Sequence, residues 1–199
     1  MAASEVITNL ELGMNFSFSN GFAKINGYRI LYLNEQLKNI NLQQEGEYSY
    51  YAADSTTHTG FEYESFLHLN NKTTLGVNGA IQMNVFNNGK FLPNTPSSLF
   101  NLTLQHEVND KLKIYSHLRR VGGMYIDNSN EEEGYINSFN LLDVAAHLSL
   151  DRINLSLQIK NVLNKLYSTY GYSYEYNGYN AFYWPGATRN LFLRISYDF

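Results

Sequence analysis

The sequence predicts an all-β protein, an antiparallel transmembrane β-barrel segment of about nine meandering strands with short periplasmic turns and long extracellular loops. Three observations lead there. The closing stretch, Arg189 to Phe199, reads R-N-L-F-L-R-I-S-Y-D-F and sets Leu191, Leu193, Ile195, Tyr197 and Phe199 at every second position. Successive side chains of a strand point to opposite faces, so this segment has one oily face and one mostly wet face, with Phe192 the apolar exception on the wet side. The same alternation recurs along the chain, and the connections between its recurrences are alternately short and long.

Composition agrees. Charged residues make up 16% of the 199, and the aromatics are 17 Tyr and 12 Phe against one Trp. Ordinary soluble domains carry about 25% charge, and a Tyr ring with its polar tip suits a boundary between oil and water. A mean hydropathy of −0.35 does not oppose a barrel, because lumen-facing residues dilute the average. No apolar run approaches the roughly 20 residues of a spanning helix. A net charge of −4 and the lack of any K/R-rich run argue against a nucleic-acid partner. Without cysteine there is no disulfide framework and no thiolate chemistry, which by itself identifies no compartment.

In order, Leu10, Leu12, Met14, Phe16 and Phe18 mark the first strand, and Ser19-Asn20-Gly21 turns it. A second strand runs from about Phe22 to Asn34. Its facing is open, since Ile25, Leu31 and Leu33 compete with Tyr28, Ile30 and Tyr32. A polar, aromatic-dotted loop is expected from about Asn39 to Thr59. Phe61, Tyr63, Leu67 and Leu69 mark the third strand, turned by Asn70-Asn71-Lys72, and Leu75, Val77, Ile81, Met83 and Val85 the fourth. After a loop from Asn87 to Pro96, Phe100, Leu102 and Leu104 mark the fifth strand, turned at Asn109-Asp110, and Leu112, Ile114 and Leu118 the sixth. A loop from about Asp127 to Asn137 follows. Leu142 to Leu150 and Ile153 to Ile159 alternate as the seventh and eighth strands around Asp151-Arg152. A long loop, roughly Asn164 to Thr188, leads to the ninth.

Short turns lie near residues 20, 71, 110 and 151, and long loops near 50, 92, 132 and 176. A sandwich has no reason to gather its long loops at one end, whereas a membrane barrel does. Strands of ~10 residues suit a tilted span. Nine is an odd count, and an open sheet in lipid leaves backbone groups unpaired, so either a strand is unseen or the sheet belongs to a larger cylinder. The amino terminus, M-A-A-S-E-V-I-T-N-L, lacks the charged and apolar regions of a secretory signal, so the chain is read as processed or as a piece of a longer protein.

Two motifs add a family resemblance. I-K-N-V-L-N-K-L-Y (Ile159 to Tyr167) and Y-W-P-G-A-T-R-N-L-F-L-R-I-S-Y-D-F (Tyr183 to Phe199) resemble the closing signatures of TonB-dependent outer-membrane receptors, with Tyr183, Pro185, Gly186, Arg189, Tyr197 and Phe199 at matching positions. L-P-N-T-P (Leu92 to Pro96), R-V-G-G-M-Y-I-D (Arg120 to Asp127) and G-F-E-Y-E (Gly60 to Glu64) resemble upstream segments in family order. The resemblance implies that residues 1–199 form one domain, the carboxy-terminal portion of a receptor barrel. At the spacing above, a barrel of about 22 strands needs roughly 480 residues, so the amino-terminal part of the barrel and the plug lie outside this stretch. It also implies uptake of a scarce small-molecule ligand, typically an iron chelate such as a siderophore. The implied partners are outer-membrane lipid, TonB and the barrel-assembly machinery, the last reading the aromatic end with Arg189, Tyr197 and Phe199.

Candidate site residues are weighed against plain ones. Tyr170, Tyr172, Tyr174, Tyr176, Tyr179 and Trp184 crowd the last long loop and could clamp a flat ligand, while an interfacial girdle would use the same residues. Glu131-Glu132-Glu133 lacks the spacing of a calcium loop and reads as a solvated tip. His68, His117 and His147 fall on lumen faces, and His106 falls in the oily register. His147 with Asp143 and Ser149 is what a polar lumen supplies by chance, and neither a Gly-x-Ser-x-Gly elbow nor a His-Glu-x-x-His run is present. The expectation is a transport protein of the bacterial outer membrane, not an enzyme, without cofactor or metal. The alternatives are a self-contained small porin-like or adhesion barrel and a soluble glycan-binding β-sandwich.

Overall fold

The computed structural model describes residues 4–38, 50–175 and 177–199. Its strands are β1 (Val6–Phe18), β2 (Gly21–Lys38), β3 (Tyr50–Asn70), β4 (Thr73–Phe86), β5 (Ser98–Glu107), β6 (Leu112–Val121), β7 (Met124–Tyr125), β8 (Tyr135–Ile136), β9 (Phe139–Leu150), β10 (Ile153–Lys160), β11 (Ser168–Glu175), β12 (Tyr179–Pro185) and β13 (Asn190–Tyr197). Nine of them make one sheet in the order β1-β2-β3-β4-β5-β6-β9-β10-β13. The two-stranded pairs β7-β8 and β11-β12 stand apart. Every long strand lies antiparallel beside the next long strand in the chain.

The register keeps the oily rows together. Leu12 faces Gly27, Gly27 faces Phe61, and Phe61 faces Ile81. Farther on, Ile114 faces Ala146, Ala146 faces Leu157, and Leu157 faces Leu193. Because side-chain direction has a period of two, these pairings put the apolar set of every long strand on one face. They also settle β2: Ile25, paired to Met14 and Tyr63, belongs with Leu31 and Leu33 on the oily face, and Tyr28 lies on the other. The opposite face is laced by polar cross-strand contacts. Lys24 Nζ meets Glu64 Oε2 at 3.4 Å, Asn101 donates to Asn78 Oδ1 at 3.0 Å, and His117 Nε2 lies 3.1 Å from the same Asn101 side chain.

Among the described residues, no second sheet covers the oily rows. Leu12 is 78% exposed and Leu193 64%. Soluble monomers rarely show contiguous apolar patches beyond a few hundred Å², so rows of this extent mark a surface meant for hydrocarbon or a partner. The β-sandwich expectation is therefore corrected, since a sandwich buries these rows between two sheets. Among the described residues both edges of the sheet are open: β1 pairs with β2 alone and β13 with β10 alone.

Side-chain carbonyls make the short turns. Asn70 Oδ1 accepts from Lys72 N, and Asn109 Oδ1 from Lys111 N and Leu112 N, each at 2.9 Å. These local bonds replace ladder bonds where the chain reverses. All of these turns lie at the end where β13 finishes.

Three expectations about the other end need correction. The residues from Tyr50 to Thr59 are strand, not loop: β3 is 21 residues long and pairs with β2 of 18. Residues 39–49 of that expected loop lie outside the described residues. Both strands exceed the ~10 residues of a span. On the oily side of β3, Phe61, Tyr63, Leu67 and Leu69 give way to Ser55, Thr57 and Thr59, so the outer halves project past the oily band. Apolar alternation goes silent there because neither face needs oil. Second, the stretch from Asn164 to Thr188 contains the β11-β12 hairpin. Third, the loop from Asp127 to Asn137 contains a 3-10 turn, Glu132–Gly134, and strand β8.

Candidate ligand-binding rim

The buried apolar core sits among the loops. Met124, Ile126 and Ile136 cluster there with Ala181 packed on them, and Ile126 is fully buried. Hydrogen bonds join the loops in sequence. Asn128 Nδ2 donates to the Tyr51 hydroxyl at 2.7 Å, tying the projecting end of β3 to the 122–138 loop. Asn94 N donates to Tyr125 O at 2.8 Å, and Asn130 clasps Phe91 from both sides, accepting from its N at 2.6 Å and donating to its O at 3.0 Å.

Asp127 is the centre of the next join. It is 1% exposed, accepts from Ser129 N at 2.8 Å and Ser129 Oγ at 2.5 Å, and takes the Tyr179 hydroxyl at 2.5 Å. Burial alone would raise its pKa. The hydroxyls of Ser129, Ser173 and Tyr179 outweigh that and hold the carboxyl below the usual aspartate range. The same burial, with the Asp127 charge, pushes the Tyr179 phenol well above its ordinary value, so it stays a donor. Tyr183 adds a bond from its hydroxyl to the Glu133 carbonyl.

These contacts divide the predicted aromatic cluster. In the β11-β12 register Tyr170 faces Trp184, Tyr172 faces Phe182, and Tyr174 faces Asn180, which puts them on one side of the hairpin. Their rings form a ladder, with Tyr172 stacked on Phe182 at 5.2 Å and Trp184 5.1 Å from Tyr172 and 5.4 Å from Tyr170. Trp184 remains half exposed. The other side carries Gly171, Ser173, Tyr179, Ala181 and Tyr183 and packs on the 122–138 loop. A Cβ on Gly171 would sit 2.7 Å from Ile126 Cγ2 and 2.8 Å from Phe182 O, so only glycine permits that approach. Tyr179 thus belongs to the docking side. Tyr176 lies outside the described residues.

The two terminal motifs meet in one knot at the foot of this hairpin. Asn161, 3% exposed and at φ 49°, donates to Lys165 O at 2.9 Å and Ala187 O at 3.1 Å, and its Oδ1 accepts from Lys165 N at 2.8 Å. Asn164 Oδ1 accepts from Arg189 N at 2.9 Å. The Tyr167 ring lies where a side chain on Gly186 would be, and it packs on Phe139 at 4.5 Å. Arg189 therefore stands at the outer rim beside the start of β13. Tyr197 closes that strand at the opposite end, where its ring meets Phe199 at 5.2 Å.

The histidines stay apart. His147 packs edge-on against Tyr115 at 5.0 Å, and Asp143 accepts from Asn161 N at 2.8 Å. Four residues along one strand separate His147 from Asp143 by about 13 Å, too far for a triad. Glu131, Glu132 and Glu133 are exposed, and among the described residues no group of three or more His, Cys, Asp or Glu could hold a metal. Sequence reasoning left the buried role of Asp127 unread. The one signal was the V-G-x-x-Y-x-D run that holds Tyr125 and Asp127.

A family model described as TonB dependent receptor-like, beta-barrel, matches residues 3–162. The chain belongs to that family. The TonB-dependent receptor fold also appears in solved structures. The ferric yersiniabactin uptake receptor FyuA of Yersinia pestis aligns with a TM-score of 0.83 at 21% identity, over 98% of this chain and 30% of that one. The ferric enterobactin receptor PfeA of Pseudomonas aeruginosa aligns at 0.77 and 16%, over 97% and 31%. The ferripyoverdine receptor of the same organism aligns at 0.73 and 18%, over 98% and 27%. The chain spans between a quarter and a third of the length of these receptors. No curated protein matches it. As a TonB-dependent receptor barrel segment, the chain belongs to a family of transport receptors.

Proposed function

We propose that residues 1–199 are the carboxy-terminal portion of an outer-membrane receptor barrel that takes up an iron chelate with energy from TonB, and that the chain does no catalysis. The observation that supports this best is the single antiparallel meander, oily on one face and looped at one end, which aligns over 98% of this chain with part of the ferric yersiniabactin uptake receptor. Backbone groups on the open edges of β1 and β13 have no water to bond in hydrocarbon, so the remaining barrel strands must complete the ladder. The plug, TonB and the barrel-assembly machinery are the further partners in this reading, with Arg189, Tyr197 and Phe199 contributing to closure and assembly.

The side that carries the ladder of Tyr170, Tyr172 and Trp184, with Tyr174 next along it, is the ligand-catching side of the last loop, because the hairpin spends its other side on docking. Tyr176 belongs to the same proposal by sequence.

Uptake of radiolabelled iron chelates by iron-starved cells tests the function. Cells lacking the receptor that contains this segment should lose uptake of at least one chelate, and the restored gene should recover it. Unchanged uptake of every chelate tried would refute the reading. Heat-modifiable migration of the isolated 199-residue chain would instead favour a self-contained barrel.

A further inference from the structure

Two adjacent arginines near the outer end of β6 face opposite ways. Arg119 pairs with Asn101 and Leu141 on the polar side of the sheet. Arg120 pairs with Phe100 and Asn140, one step of the oily face outward from the row Leu102-Leu118-Leu142. That step is about 7 Å along a strand. A charge on the lipid face of a barrel is costly at mid-depth and nearly free at the edge of the hydrocarbon. Arg120 therefore marks the outer edge of the oily band, at the end where the long loops gather. Its flanking strands, β5 and β9, both lie in this chain, so its surroundings on that face do not depend on strands beyond it.

The Arg120 guanidinium is exposed and meets only neutral acceptors, each at long range: Nη1 donates to Asn140 Oδ1 at 3.3 Å and Nη2 to Ser138 Oγ at 3.4 Å. Ser138 also lines a cleft of about 430 Å³ between the 135–139 segment and the start of the last loop, together with Tyr135, Lys165, Leu166 and Tyr183. Asn161 holds the Lys165 backbone at both its N and its O, and the side chain stays exposed at the cleft. Among the described residues no carboxylate pairs with Arg120 or Lys165. Leu163 and Leu166 keep more than half of their surface exposed beside these cations. Cations, tyrosine rings and bare leucines bordering an oily surface fit an anionic amphiphile. A forked guanidinium suits phosphate, and two cations call for more charge than a phosphodiester carries, which a phosphate monoester supplies. We infer that Arg120, Lys165 and the adjoining cleft bind the phosphorylated sugar headgroup of an outer-leaflet glycolipid, whose acyl chains lie along the oily rows below. The inference rests on the outer-membrane reading above.

The test uses the intact receptor in detergent, titrated with lipid A (a glucosamine lipid bearing phosphate monoesters), with dephosphorylated lipid A and with phosphatidylglycerol, and read by native mass spectrometry. The native receptor should bind lipid A at least about tenfold more tightly than either of the others. Arg120→Gln and Lys165→Gln should each weaken lipid A binding by about tenfold. Arg119→Gln, one position along but on the polar face, should change it by less than about twofold. Lipid A binding indifferent to Arg120 and Lys165, or an equal loss from Arg119→Gln, overturns the inference. So does equal binding of dephosphorylated lipid A or of phosphatidylglycerol, a comparison made on the native receptor that holds even where a variant fails to assemble. Each of these results leaves the outer-membrane reading standing, whereas normal assembly of Leu193→Arg would count against that reading itself.

Discussion

The phenol of Tyr179 donates to the buried carboxylate of Asp127 at 2.5 Å, across 52 positions of sequence. That bond fastens the β11-β12 hairpin to the 122–138 loop and turns the aromatic ladder away from it. Hydrogen bonds to a charged group are worth about 1.5–3 kcal/mol. Tyr179→Phe and Asp127→Asn should each loosen the hairpin by an amount of that order. Amide hydrogen exchange of residues 168–185 in the intact receptor should accelerate while exchange in β9 and β10 stays unchanged.

The same join has a pH window. The folded-state pKa of Asp127 is depressed, so its contribution is present above the ordinary aspartate value of 3.8 and fades as pH falls through the lowered one. The Tyr179 pKa is raised, so its contribution is complete below its ordinary value of 10.0 and fades as pH rises through the elevated one. Exchange protection of the hairpin should therefore be flat through the neutral range and fall only at the acid and alkaline extremes. A midpoint between pH 5 and 8 would show that another group controls docking.

Gly171 offers a steric test of the same interface. A Cβ there meets Ile126 and the Phe182 carbonyl inside contact distance. Gly171→Val should release the hairpin as completely as the loss of Asp127, without altering assembly of the barrel. Protease cleavage within 168–185, against an unchanged heat-modifiable shift, would report it.

The oily rows predict an asymmetric response to charge. Leu193 lies in the middle of the band, paired with Leu157. An Arg there should cost about 2–4 kcal/mol at the bilayer midplane and reduce the assembled fraction. Gln158→Lys, on the opposite face, should assemble normally. Equal effects of the two would mean that the rows do not contact hydrocarbon.

On the aromatic ladder, Trp184→Ala and Tyr172→Ala should weaken binding of the transported chelate by about tenfold each. Tyr179→Phe should act only through docking. Association and dissociation rates of chelate measured for each variant separate the two, because a docking defect slows association while a lost contact speeds dissociation.

Strand existence and pairing order were written in the sequence for every strand that crosses the band, and so was the oily face for all but β2, whose facing only its pairing with β1 and β3 decided. Leu10 to Phe18 and Leu191 to Phe199 carry their facing in a period of two, and that period has one geometric meaning. Even His106 could be assigned to the oily side from its position, where it pairs with Thr73. The signal ended where the bilayer constraint ends. Tyr50 to Thr59 read as loop because a strand with polar surroundings on both faces has no reason to alternate, and pairing with β2 makes it a strand. Tyr170 to Trp184 likewise read as an undivided aromatic cluster. Which rings turn outward and which dock was decided by Asp127, Ile126 and Gly171, residues brought beside them only when the loops pack. Local alternation reports a side chain's relation to its solvent. The meeting of distant loops depends on a buried charge finding its donors, and one-dimensional order does not record that.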